Sequence, residues 1–172
     1  MYWDDWDCFR NPCGWGPGFP PNEQTDNSSP ADGGGGTPIA DYLLTTNEAT
    51  QNVTPGNGLL FAANNQSNGT AITHVPATSD VQLTGSGTYL VMYRTAATGT
   101  AGDTAQTELY LNGAPVAGSR ASAVLADGTA SELAASTLVS VPENSTSTLR
   151  LTNTGTAAED FANSTMNIVR IA

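Results

Sequence analysis

The 172-residue chain predicts an all-β domain of the sandwich or jelly-roll kind, on three observations. From Pro38 to Ala172 it is rich in Thr, Val, Leu and Ala, with Gly, Asn and Pro as punctuation, a composition that suits pleated, half-buried segments. No stretch of that region keeps a helical period. Turn signals recur at short intervals: Pro55-Gly56-Asn57-Gly58, Asn68-Gly69, Gly85-Ser86-Gly87, Asn112-Gly113, Asp127-Gly128 and Asn153-Thr154-Gly155.

Nine strands follow in order. Asp41 to Thr46 (DYLLTT) and Leu59 to Ala63 (LLFAA) are apolar runs on either side of the first turn cluster. Asp80 to Thr84 (DVQLT) alternates polar and apolar residues. Gly87 to Ala96 (GTYLVMYRTA) is the longest apolar segment, and its alternation puts Tyr89, Val91 and Tyr93 on one face and Leu90 and Met92 on the other. Thr107 to Asn112 (TELYLN) runs into the hairpin signal Asn112-Gly113, and Ser122 to Ala126 runs into Asp127-Gly128. Ser136 to Val141, Thr148 to Asn153 and Met166 to Ile171 complete the set. A strand with large apolar side chains on both faces is covered twice, so the Tyr89, Val91 and Tyr93 strand is expected to serve a core on one side and a second sheet or subunit on the other, or else to be a central strand of a monomer with its tyrosine row partly exposed.

Charge and composition exclude several functions. The chain has five arginines and no lysine against sixteen acidic residues, for a net charge of -11. There is no basic stripe for nucleic acid and no cationic face for an anionic membrane. No apolar run is long enough for a spanning helix, and acidic Asp4, Asp5 and Asp7 stand where an export signal would be basic and then apolar, so no signal peptide is expected. Without lysine there is no Schiff base, no phosphate-loop lysine and no Lys-Asn isopeptide bond. His74 is the single histidine, in the loop-like AITHVPAT, and no Gly-x-Ser-x-Gly elbow accompanies it, so it reads as structural or solvated. The neighbours Glu159 and Asp160 face opposite ways on a strand and read as a solvated acidic surface. The expectation is therefore no enzyme, no catalytic residue, no metal and no cofactor.

The order SDVQLTGSGTYLVMYRT, TELYLNGAPVAGS, STLVSVPENSTSTLRLTNTG and terminal NIVRIA, with DYLLTTNEATQNVTPGNGLLFAANNQSNGTAI upstream, resembles the globular heads of the collagen-like exosporium glycoproteins of spore-forming bacteria. Those heads are similar to the complement globular head and tumour-necrosis-factor folds. The likeness covers about 135 of the 172 residues. It implies a ten-stranded jelly roll packed as a homotrimer, and a place on the spore surface, in the exosporium or an appendage. The collagen stalk that such heads carry is missing, because no Gly-X-Y register survives three repeats.

What precedes the head at 38–172 is an arm, residues 1–19, and a polar Pro/Gly/Ser/Asn linker, residues 20–37. Tyr2, Trp3, Trp6, Phe9, Trp15 and Phe19 are half of the twelve aromatic residues of the chain. Each ring left in water forfeits about 1.5 to 3 kcal/mol of burial, so the arm is expected to dock, on its own head or on the next copy. A head-to-tail contact between copies polymerises into a filament unless it closes into a ring. Arg94, Arg120, Arg150 and Arg170 are the basic residues of the body available to its acidic residues. Cys8 and Cys13 are the only cysteines and lack the ligand count of a zinc site. They form a disulfide within one arm, a disulfide between copies, or two free thiols, and the sequence leaves these open. The reading is a structural protein that partners itself, as trimer and then fibre, with a tip or anchor protein at an end. A trimeric adhesin or phage-type receptor-binding head tethered by its arm is the alternative.

Overall fold

The computed structural model describes residues 40–172. The arm residues Tyr2, Trp3, Trp6, Cys8, Phe9, Cys13, Trp15 and Phe19, the linker and the boundaries drawn around them lie outside the described residues.

Twelve strands form two antiparallel sheets: β1 (Tyr42–Asn47), β2 (Gln51–Val53), β3 (Ala63–Asn68), β4 (Ile72–His74), β5 (Asp80–Thr84), β6 (Gly87–Thr98), β7 (Thr104–Leu111), β8 (Ala114–Pro115), β9 (Ala121–Val124), β10 (Ser131–Val141), β11 (Thr146–Asn153) and β12 (Glu159–Arg170). The first sheet has the order β10-β6-β12-β1-β3, with β2 paired to β12; the second runs β4-β5-β11-β7-β8, with β9 paired to β7. Sequence neighbours are repeatedly split between sheets, which makes the fold a jelly roll. All nine expected strands correspond to extended or bridged segments, and Asp80–Thr84 matches at both ends. Leu59 to Ala63 is the partial exception: Gly58 and Phe61 make isolated bridges, and the regular strand starts at Ala63.

Both sheets face a shared core. The first contributes Leu43, Tyr89, Val91, Tyr93, Phe161, Met166 and Ile168, the second Val81, Leu83, Leu109, Leu149 and Leu151, and Leu59 and Phe61 plug one side. Two tyrosines tie the layers together. The Tyr93 hydroxyl donates to the carbonyls of Ser119 at 2.6 Å and Thr107 at 3.2 Å and accepts from Thr107 Oγ1. Tyr89 donates to the Thr84 carbonyl at 3.1 Å. Burial pushes the Tyr93 phenol above its ordinary value. Asn112 and Gly113 both have positive φ, which is the type I′ turn that their sequence requires.

A bulge in β12 between Ala162 and Thr165, with Asn163 at φ 50°, turns Ser164 inward to share a 2.8 Å hydrogen bond with Thr95. At the start of the same strand the expectation of a solvated acidic pair fails for Glu159, which is 1% exposed, while Asp160 accepts a hydrogen bond from Asn52. Strand alternation turns the first carboxyl inward against Gly99, where a Cβ would overlap its Oε2, and its Oε1 has no partner. Burial, reinforced by the nearby charges of Asp103 and Asp160, holds the Glu159 carboxyl above the ordinary carboxylate range.

Tyr93→Phe removes the donor to the Ser119 and Thr107 carbonyls and should lower stability by about 1 to 3 kcal/mol in chemical denaturation; an unchanged midpoint would contradict this bridge between the sheets. The folded chain holds the Glu159 proton more tightly than the unfolded chain does. Its contribution is therefore complete at acid pH and is lost as pH rises from the ordinary carboxylate range through the raised value. Glu159→Gln should melt higher than the parent at pH 7, with the difference shrinking toward pH 4; a constant difference across that range would overturn this assignment.

Candidate assembly surface

Because β-strand side chains alternate, the strands that bury Tyr89, Val91 and Ile168 present a second set outward. On the outer face of the first sheet the pairing register aligns Leu138 opposite Leu90, Leu90 opposite Val169, and Val169 opposite Tyr42. Four apolar side chains on four adjacent strands thus form one unbroken cross-strand row. The next row is Ser136, Met92, Asn167 and Leu44, and the third is Ala134, Arg94, Thr165 and Thr46. Leu138 is 58% exposed and Met92 36%, and Tyr42 is exposed as well. The surface grades from apolar at the Leu138 row to charged at the far end, where Glu48, Arg94 and Glu132 line a hollow of about 320 Å³ beside the β12 bulge.

The structure places Tyr89, Val91 and Tyr93 in the core of the single chain, and Leu90 and Met92 on the outward face. Val169, Leu138 and Tyr42 complete that face; sequence reasoning missed their grouping because only the register joins them. Of the four body arginines, Arg120 pairs with Glu108 at 2.9 Å, Arg150 with Asp80 at 2.6 Å and Arg170 with Asp41 at 3.5 Å. Arg94 alone has no ion-pair partner among the described residues, and it sits on the graded face.

His74 is not in a loop: it lies on β4, buried edge-on to Phe61. Its Nδ1 is 2.7 Å from Asn64 Oδ1 and its Nε2 is 3.1 Å from the Thr78 carbonyl. Both ring nitrogens are committed internally, so the ring locks the edge of the second sheet. Among the described residues no three His, Cys, Asp or Glu side chains are grouped to hold a metal. No helix among them is long and apolar enough to cross a membrane.

The sequence matches no family model and no curated relative. The fold does match solved structures. Murine APRIL at pH 5.0 superposes with a TM-score of 0.58 at 9% identity, over 77% of this chain and 99% of that one. The globular domain of the zebrafish complement 1qA protein gives 0.57 at 6% identity, over 76% and 95%. Eiger TNF from S. frugiperda gives 0.58 at 15% identity, over 78% and 92%. The body is a jelly roll of the tumour-necrosis-factor and complement-head type.

Proposed function

We propose that the protein is a self-assembling structural protein of a bacterial spore surface. Its heads form homotrimers through the outer face of the first sheet, and residues 1–19 of each copy dock on a neighbouring trimer to build a fibre. The observation that carries the trimer is the row Leu138, Leu90, Val169 and Tyr42, exposed at its two ends and half-buried at Leu90 and Val169. A continuous apolar patch is costly in a monomer, and three copies around an axis bury it without leaving an open contact. The likeness of the body to exosporium heads implies the same packing. At the charged end, Arg94 finds its counter-charge in Glu48 or Glu132 of the adjacent copy. The fibre rests on the arm, whose six aromatic residues and acidic charge suit an acceptor on another copy. A bridge through Cys8 or Cys13 makes that joint covalent when it links copies. The reading is non-enzymatic.

Replacing Leu138 and Met92 together by Asp puts charges on exposed strand positions, so the single chain should keep its circular dichroism and cooperative melt. The same charges in a closed interface cost several kcal/mol, so in the chain lacking residues 1–19, which forms trimers and no fibres, light scattering should show the mass fall from three chains to one. A double variant that keeps the parent mass would exclude this face.

Removing residues 1–19, or replacing Trp3 and Trp6 by Ala, should abolish fibres in negative stain and leave folded trimers. Each truncated aromatic is expected to cost about 3 to 5 kcal/mol, and the pair weakens association by roughly four orders of magnitude or more. Filaments from the arm-deleted chain would contradict the connector role. Discrete trimers from the full chain at every concentration would favour the tethered adhesin.

A further inference from the structure

The second sheet has an outer face of a different character. Strand register brings Arg150 of β11 opposite both Asp80 of β5 and Tyr110 of β7. These three and Thr152 line a groove of about 790 Å³, walled by the Pro55-Gly56 turn on one side and the Asn112-Gly113 turn on the other. The volume lies in the range of ligand sites.

The groove is held rigid from both walls. Gly58 lies so close to the Arg150 stem that a Cβ there would come within 2.6 Å of Cδ. On the far wall Asn112 accepts from the Thr148 amide at 2.8 Å and donates to Ser147 at 3.1 Å.

The ion pair is lopsided. Arg150 Nε at 2.7 Å, Arg150 Nη2 at 2.6 Å and Ser79 Oγ at 2.9 Å all converge on Asp80 Oδ1. Asp80 Oδ2 and Arg150 Nη1 take no bond among the described residues, and both side chains keep access to water, at 37% and 41% exposure. A charged acceptor and a charged donor therefore remain unused in the groove, on strands that flank or neighbour the half-buried Tyr110. Beneath them Thr152 is 4% exposed, and its hydroxyl has no partner.

We propose that this groove is a binding site for a neutral saccharide. One hydroxyl of a vicinal pair donates to Asp80 Oδ2, its neighbour accepts from Arg150 Nη1, and the C–H face of the sugar ring lies on Tyr110. Bonds of this charge-assisted kind are the strong ones. Because the two charges cancel and the chain as a whole carries -11, the site does not suit an anion. It lies within one chain and on the sheet away from the assembly face, so it stands or falls apart from the trimer and the fibre.

The test is to screen the full-length protein against an array of α- and β-linked glucose, galactose and mannose oligosaccharides, with sialylated and sulfated glycans alongside, and to titrate the best neutral binder by calorimetry. Tyr110→Leu removes the stacking ring, and Arg150→Lys keeps the charge opposite Asp80 but removes Nη1. Each should weaken binding at least tenfold with the melting transition retained. The proposal is overturned if no neutral oligosaccharide binds at concentrations up to roughly 10 mM, if only acidic glycans bind, or if both folded variants bind like the parent.

Discussion

The hydroxyl of Tyr93 is the point on which the sandwich hangs. It reaches from β6 across the core to carbonyls of β7 and of the turn at Ser119, and Ser119 in turn donates to the Val116 carbonyl and accepts from the Leu109 amide. A phenol in an apolar core is tolerable only with such partners, so this one network sets the spacing of the sheets and the path of the chain between β8 and β9. Its consequence for function follows from the period of a strand. With Tyr89, Val91 and Tyr93 locked inward, Leu90 and Met92 must point out, and the pairing of β6 with β10 and β12 extends their row to Leu138 and Val169. Core and proposed assembly surface are two faces of one strand.

The two outer faces divide the remaining work. That of the first sheet is apolar at one end and carries an arginine without an ion-pair partner among the described residues at the other, which suits a surface covered by copies of the same chain. That of the second is crossed by ion pairs, Asp80 with Arg150 and Glu108 with Arg120, and by hydroxyl and amide side chains. In a chain with so few cations, both of these pairs lie on one sheet. Under the proposed assembly, this division lets one domain combine burial against other copies with polar contacts outward.

Much of this was legible in the sequence, and the failures have physical reasons. The turns carried the strongest signal, because Asn112-Gly113 and Asp127-Gly128 demand backbone conformations few other residues adopt. Val81 and Leu83, alternating with polar neighbours, fixed β5 at both ends. β3 (ANNQSN) was unreadable because it has no apolar face; it is held by pairing to β1 and by the bonds of Asn64 to His74, which no local pattern reports. His74 and Glu159 were misplaced for a shared reason: each is a polar residue on an inward strand position, and its burial is visible only once Phe61 or Gly99 is brought against it from far along the chain. Of the assembly face, alternation alone gave Leu90 and Met92. In STLVSV the adjacent Leu138 and Val139 are equally apolar, and only the register with β6 decides that Leu138 faces out. The saccharide groove left no sequence signal, since Asp80, Tyr110 and Arg150 meet through sheet pairing.

Methionine oxidation tests the central claim most directly, because the two methionines of the head sit on opposite faces of the first sheet. Met166 is fully buried in the core and Met92 stands on the outer face. Treating the wild-type protein with dilute peroxide and following the two sulfoxides by peptide mass spectrometry across a dilution series reads the cover over each. A self-assembled face predicts that Met92 is protected nearly as well as Met166 at high concentration and oxidises faster as dilution releases single chains. Fast oxidation of Met92 at every concentration, with Met166 protected throughout, would mean that the apolar row is open to water, and the account of assembly would fail.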